Sequence, residues 1–163
     1  MKTLIPLTPT IIWKAGRVRL IDQTKLPLNE EYIDTDDSRV ICDAIHRLAI
    51  RGAPAIGVVG AYACVLAANE IEASELHDFV QIFLQRADEI GGTRPTAVNL
   101  MWAIKQMKEQ ANSFAGKIDE LRAALLDLAH GIREDDIKRC HNLALHGANL
   151  ISDNENVMTI CNT

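Results

Sequence analysis

The sequence predicts an α+β fold: a small N-terminal antiparallel sheet, a helical bundle, and one last strand whose ladder partners belong to a missing α/β domain. Three observations carry this. Short β-prone runs are confined to the first 35 residues, helical spacing of apolar residues begins at Asp36, and an apolar run, Val157 to Ile160, returns at the far end.

Ile11-Ile12-Trp13 opens the sheet, Lys14-Ala15-Gly16 can turn, and Val18-Arg19-Leu20-Ile21 returns with Val18 and Leu20 on one face. Pro27 interrupts, and Glu31-Tyr32-Ile33 adds a third short strand. Asp37 or Ser38 can cap a first helix, in which Val40, Ile41, Ala44, Ile45, Leu48 and Ala49 recur at helical spacing. Arg51-Gly52 breaks it. Pro54 then stands in the first turn of a new helix, where its missing N–H costs nothing. That helix, about Pro54 to Asn69, is apolar nearly all round and belongs inside the bundle.

Ser74 can cap a third helix with a stripe of Leu76, Phe79, Val80, Phe83, Leu84 and Ala87, ended by Gly91-Gly92. Thr93-Arg94-Pro95-Thr96 leads into a fourth, carrying Val98, Met101, Ala103, Ile104 and Met107. After a linker from Ser113 to Gly116, Ile118, Leu121, Leu125 and Leu128 mark a fifth helix ending near Gly131. A sixth is expected from Glu134 towards Leu150, with Glu134-Asp135-Asp136 complementing the dipole of its first turn. Residues 152–156 are polar and read as a loop, and Val157 to Ile160 as a buried strand. A buried apolar strand needs neighbours. None follow, so either it pairs with the N-terminal sheet or the chain is the front part of a longer protein, and the second reading is favoured. The expected division is 1–35 strands, 36–155 helical domain, and 156–163 the first strand of a truncated domain.

Composition excludes several classes. The 163 residues are 48% hydrophobic and 24% charged, ordinary for a soluble domain. Seventeen Lys+Arg against 22 Asp+Glu give a net charge of −5, which argues against general binding to nucleic acid or anionic membranes. No secretory signal is visible, and the longest apolar stretch, Ala53 to Ala68, falls short of the ~20 residues of a membrane span. Four scattered cysteines without a CxxC suit reduced thiols in a cytoplasm. Cys42, Cys64 and Cys140 fall within helices and read as core residues. Cys42 and His46, and the cluster Cys140, His141 and His146, lack the ligand spacing of zinc-finger or metalloprotease sites, so no metal is expected. The histidines read as surface or capping residues, and Trp13 and Trp102 as core or interface aromatics.

Chemistry concentrates at two junctions. Arg51-Gly52-Ala53-Pro54 stands before the buried helix, and Gly91-Gly92-Thr93-Arg94-Pro95-Thr96 before the fourth. Each sets an arginine and a glycine beside a helix N-terminus, whose free N–H groups and positive dipole end suit a phosphate. Arginine adds a planar fork matched to phosphate oxygens. Plain helix punctuation accounts for the same residues. Cys161, after the last strand, can serve as a nucleophile or proton-transfer group where a cation favours its thiolate, or can be an inert buried thiol.

These segments also carry a resemblance. Ile50-Arg51-Gly52-Ala53-Pro54-Ala55-Ile56-Gly57 with Ala61-Tyr62, and Gly92-Thr93-Arg94-Pro95-Thr96-Ala97-Val98-Asn99-Leu100 with Trp102-Ala103, resemble the two signatures of S-methyl-5-thioribose-1-phosphate isomerases. Ile21-Asp22-Gln23 with Leu26-Pro27 and Tyr32, and the segment from Glu134 to His146-Gly147-Ala148, fit as well. Met158-Thr159-Ile160-Cys161-Asn162-Thr163 is similar to the family's Cys-Asn motif, which normally continues with glycine. The wider superfamily includes regulatory subunits of the initiation factor that exchanges guanine nucleotide, and ribose-1,5-bisphosphate isomerases. The resemblance implies a Rossmann-like second domain, of which this chain holds only the first strand. It implies aldose–ketose isomerisation of 5-methylthioribose 1-phosphate to 5-methylthioribulose 1-phosphate, a step of methionine salvage. Arg51, Gly52, Ala53 and Arg94 then bind substrate and Cys161 is the active-site thiol. The catalytic aspartate comes from the missing part, no cofactor is needed, and the enzyme is a cytoplasmic homodimer. Isomerisation of another 5-substituted pentose 1-phosphate, such as 5-deoxyribose 1-phosphate, and a non-catalytic initiation-factor-like subunit are the alternatives.

Overall fold

The computed structural model describes residues 9–152 and 154–158. Three strands, β1 (Ile11–Lys14), β2 (Arg17–Ile21) and β3 (Tyr32–Thr35), form an antiparallel sheet in sequence order. Ile11 stands opposite Leu20, and Leu20 opposite Ile33. The β1–β2 turn is Ala15-Gly16, both at positive φ (50° and 78°), the twist a two-residue hairpin loop requires. Val18 and Leu20 on the central strand are fully buried, as their shared face predicts.

Five helices follow: α1 (Ser38–His46), α2 (Ala53–Glu70), α3 (Leu76–Gly92), α4 (Val98–Ser113) and α5 (Ile118–Ala148). Asp37 caps α1 by accepting from the Arg39 N–H at 2.8 Å, and Glu70 at the far end of α2 accepts from the Ser38 N–H at 2.9 Å. Carboxylates therefore satisfy that helix start from two sides. Ser74 does not cap α3; Glu75 is its N-cap residue, and it makes no side-chain capping bond.

The expected break at Gly131 does not occur. The predicted fifth and sixth helices are one 31-residue helix, α5. A glycine inside a helix costs only about 1 kcal/mol relative to alanine, and hydrogen bonding from both sides carries the helix through it. Glu134-Asp135-Asp136 is accordingly mid-helix rather than a first turn, and Asp135 pairs with Arg139 one turn on, at 2.6 Å. Leu121, Leu125, Ala129 and Ile132 of the first half are buried, whereas Ile137, Leu143 and Leu145 of the second half lie exposed beyond the bundle. Cys140 is exposed there too, contrary to its expected core role; Cys64 is buried and Cys42 half-buried. Burial pushes the Cys42 thiol up to about 11, and the Cys64 thiol higher still. Both are inert as thiolates at neutral pH. Val157 and Met158 are exposed and carry no strand hydrogen bonding to the described residues of this chain; the rest of that expected strand, with Cys161, lies outside the described residues.

α2 is the core of the molecule. Every residue from Ile56 to Ala68 is buried, so its length and apolar composition, which would suit a membrane span, serve an interior helix here. Trp13 of β1 stacks on Tyr62 with ring centroids 5.5 Å apart, and the Tyr62 hydroxyl meets His130 Nδ1 of α5 at 2.9 Å. Thus His130 is a half-buried partner of the core, not a surface residue. Burial also raises the Tyr62 phenol above its ordinary value. Arg122 of α5 donates to the carbonyls of Ala68 (3.2 Å) and Ile71 (2.8 Å), groups the end of α2 leaves unpaired.

α4 rests on α2 through glycines. A methyl group on Gly57 would come within 2.9 Å of the Asn99 carbonyl oxygen, and one on Gly60 would run into Leu100. The first turn of α2 therefore lies against the first turn of α4, and the two helices start at the same end of the bundle. Gly57→Ala should separate them and lower stability by about 1–3 kcal/mol. A drop in the urea midpoint with an unchanged m-value is the expected result.

Candidate functional site

The helices that follow the two arginine junctions start at that shared end. Between the starts of α2 and α4 and the middle of α5 lies a cleft of about 390 Å³, lined by Pro54, Val98, Asn99 and Trp102 on the helix starts and by Ile132, Asp135, Asp136 and Arg139 on α5; Arg51 and Arg94 are not among its lining residues. Val98 is 77% exposed, so it is not the core residue that helical spacing predicts, and Trp102 is half-exposed, which leaves the interface side of its core-or-interface reading. Their burial is decided by which side of α4 faces α2, and Leu100, Ala103, Ile104 and Met107 take that side.

The starts of α2 and α4 differ electrostatically from the other three. α1 is capped by Asp37, α3 has Asp78 in its first turn, and α5 has Asp119 and Glu120 in its own. α2 begins at Gly52 and α4 at Ala97, with neither a capping side chain nor an acidic residue in the first turn. Among the described residues, the amides of Ala53, Ala55, Val98, Asn99 and Leu100 have no protein acceptor. Two positive helix ends are thus left open side by side.

The arginines add to this. Arg17, Arg39, Arg47, Arg86, Arg122 and Arg139 pair with carboxylates, Arg133 donates to the Ile11 carbonyl, and Arg19 lies over the Tyr32 ring. Among the described residues, only Arg51 and Arg94 have no such side-chain partner, and both flank an uncapped helix start. Arg51 is exposed and Arg94 half-buried. Arg94 sits in a turn closed by the Ala97 N–H to its carbonyl (2.9 Å), with Pro95 fixing the backbone.

Gly52 is required by conformation. Its φ of 103° lies in the left-handed region that side-chain-bearing residues avoid. The segment before it is clamped: Asp22 is buried and accepts from Thr24 and from Arg47 Nη1 at 3.0 Å, Gln23 N–H donates to Ala49, and Gln23 Nε2 donates to the Arg51 carbonyl at 3.0 Å. Leu48, between the clamps, takes a left-handed φ of 64°, a conformation costing about 1–2 kcal/mol for a non-glycine residue. Sequence reasoning passed over this clamp, because Asp22 and Arg47 are 25 residues apart and no local pattern links them. The weaker signal it could have used is the missing Ser, Thr, Asp or Asn at the starts of α2 and α4. The structure brings Arg51, Gly52, Ala53 and the Arg94 turn to one end of the bundle; Cys161 lies outside the described residues.

Fold and site together describe an α+β module in which two open helix starts, each preceded by an arginine with no side-chain partner among the described residues, share one end. Residues 49–163 match the Initiation factor 2 subunit family, and the chain belongs to that family. It is similar to proteins named methylthioribose-1-phosphate isomerase from Syntrophotalea carbinolica (40% identical over 93% of this chain) and Geobacter metallireducens (42% over 94%). The chain spans 44% of the length of each. Among solved structures, it resembles the translation initiation factor eIF-2B subunit delta from A. fulgidus, at TM-score 0.82 and 36% identity over 90% of this chain and 42% of that one. It also resembles the 5-methylthioribose 1-phosphate isomerase from Pyrococcus horikoshii OT3, at TM-score 0.75 and 28% identity over 79% of this chain and 36% of that one.

The Asp22 clamp has a pH signature. Burial alone would push its carboxyl up, but hydrogen bonds from Thr24 and Arg47 outweigh it and hold the group below its ordinary value. A depressed folded-state pKa stabilises above the unfolded value, about 3.9, and that gain disappears as pH falls through the folded value. Asp22→Asn should cost about 1–3 kcal/mol at pH 7. Urea midpoints of wild type and variant should converge below about pH 4.

Proposed function

We propose that this chain is the phosphate-holding N-terminal part of an aldose–ketose isomerase acting on 5-methylthioribose 1-phosphate. The observation that carries the reading is the pair of uncapped helix starts at one end of the bundle, each flanked by an arginine without a side-chain partner among the described residues. The names of relatives about 40% identical across nearly the whole chain support it.

On this reading Arg51 and Arg94 grip the 1-phosphate, and the amides of Gly52 and Ala53 approach its oxygens. The phosphate on C1 keeps the sugar ring closed. Isomerisation breaks the bond between C1 and the ring oxygen, which takes up a proton. The hydrogen on C2 moves to C1, and the C2 hydroxyl becomes the ketone as its proton leaves. C1 keeps its phosphate, so the anchor at the helix starts holds throughout, and proton movement requires a positioned acid/base pair. Cys161 supplies one member. The other is an aspartate of a Rossmann-like C-terminal domain whose first strand is residues 156–163, beyond the strands of 1–35 and the helical domain of 36–155. The full-length enzyme acts as a homodimer. The eIF-2B likeness favours a second reading, a binding subunit that uses the same architecture without turnover.

An isomerase assay on the full-length protein separates the readings, with 5-deoxyribose 1-phosphate as a competing substrate. Cys161→Ser should abolish turnover. Arg51→Ala and Arg94→Ala should each weaken substrate binding by about 1.5–3 kcal/mol, the range for a hydrogen bond to a charged group. Calorimetric affinity unchanged in both arginine variants would remove them from the site. No turnover of any pentose 1-phosphate by a folded full-length protein would leave the subunit reading. The 163-residue chain alone should be inactive, and turnover by it would refute the division of labour.

A further inference from the structure

We infer that Gln23 is a positioning residue for the anion site, setting the peptide that joins Arg51 to Gly52. The inference rests on the phosphate reading above and adds a residue that touches no substrate. A trans peptide is planar, so its C=O and N–H point in opposite directions. Gln23 Nε2 draws the Arg51 carbonyl to 3.0 Å, so the Gly52 N–H must point away from Gln23. Among the described residues that N–H has no acceptor, and it belongs to the glycine whose φ of 103° opens α2. Successive N–H groups converging at such a turn form an anion-binding concavity. Here the Gly52 amide would join those of Ala53 and Ala55.

Gln23 can impose this orientation because it is itself fixed. Its own N–H donates to Ala49 at 2.8 Å, and its neighbour Asp22 holds Arg47 at 3.0 Å. The 22–23 segment thus grips 47–51 at three points. Without the side-chain donor, the Arg51–Gly52 peptide can rotate at the permissive glycine. Both the guanidinium's starting point and the amide's aim would then be lost.

NMR on this chain tests the inference with Gln23→Ala and Gln23→Met. Methionine keeps the side chain's length and apolar stem but cannot donate, so a residue acting only by contact would be rescued by it. Without ligand, both variants should keep the wild-type unfolding midpoint while the Gly52 amide loses backbone order. A Gly52 amide as ordered in Gln23→Met as in wild type overturns the inference, whatever phosphate does. In titrations with inorganic phosphate, both variants should bind about tenfold more weakly. The loss should shrink in an Arg51→Ala background; an equal loss there means that Gln23 acts independently of Arg51 and also overturns the inference. A wild-type chain that shows no phosphate response counts instead against the phosphate reading, while the order measurement still judges Gln23.

Discussion

The close approach of α2 and α4 is the constraint on which the rest depends. Gly57 and Gly60 leave no side chain between the two backbones, and Asn99, Leu100 and Ile104 fill the space they leave. The helices run side by side from the same end, so their positive termini coincide instead of lying at opposite poles. Everything proposed for the site follows from that coincidence.

Two like dipole ends, beside two arginines with no side-chain partner among the described residues, are unfavourable for the isolated fold. Elsewhere the molecule neutralises such groups: Asp37 and Glu70 at α1, acidic first turns at α3 and α5, and carboxylates opposite most arginines. Its net charge of −5 leaves ample acid to do the same at α2 and α4. On the proposed reading, the positive helix ends serve a bound anion rather than marking helix punctuation alone, with Asp135 and Asp136 on the α5 side of the cleft. A bound dianion would supply the compensation that the chain withholds.

Much of the fold was legible. Helical spacing located α1 to α4 to within a few residues, because each has one strongly apolar side, and α2 was recognisable as interior because it has no polar side. Gly131 misled, since glycine lowers helix propensity without forbidding helix, and only the continued hydrogen bonding of α5 reveals the outcome. Val98 and Met101 misled in another way. Periodicity names an apolar side, but the partner helix decides how wide a stripe is covered. The site was legible as two arginine–glycine junctions. The Asp22–Arg47 and Gln23–Arg51 bonds were not, because they join segments 25 and 28 residues apart whose side chains are unremarkable in local sequence.

By itself, the sequence determined the α+β class, the order of elements, the buried identity of α2 and the residues able to meet an anion. Those properties reside in local pattern: side-chain period, glycine and proline placement, and charge. Only the tertiary structure decided that α2 and α4 start at one end, that Arg51 and Arg94 have no side-chain partner among the described residues, and that Gln23 donates to the Arg51 carbonyl. Those depend on distances between residues far apart in the chain, which are set when glycine-lined backbones come into contact.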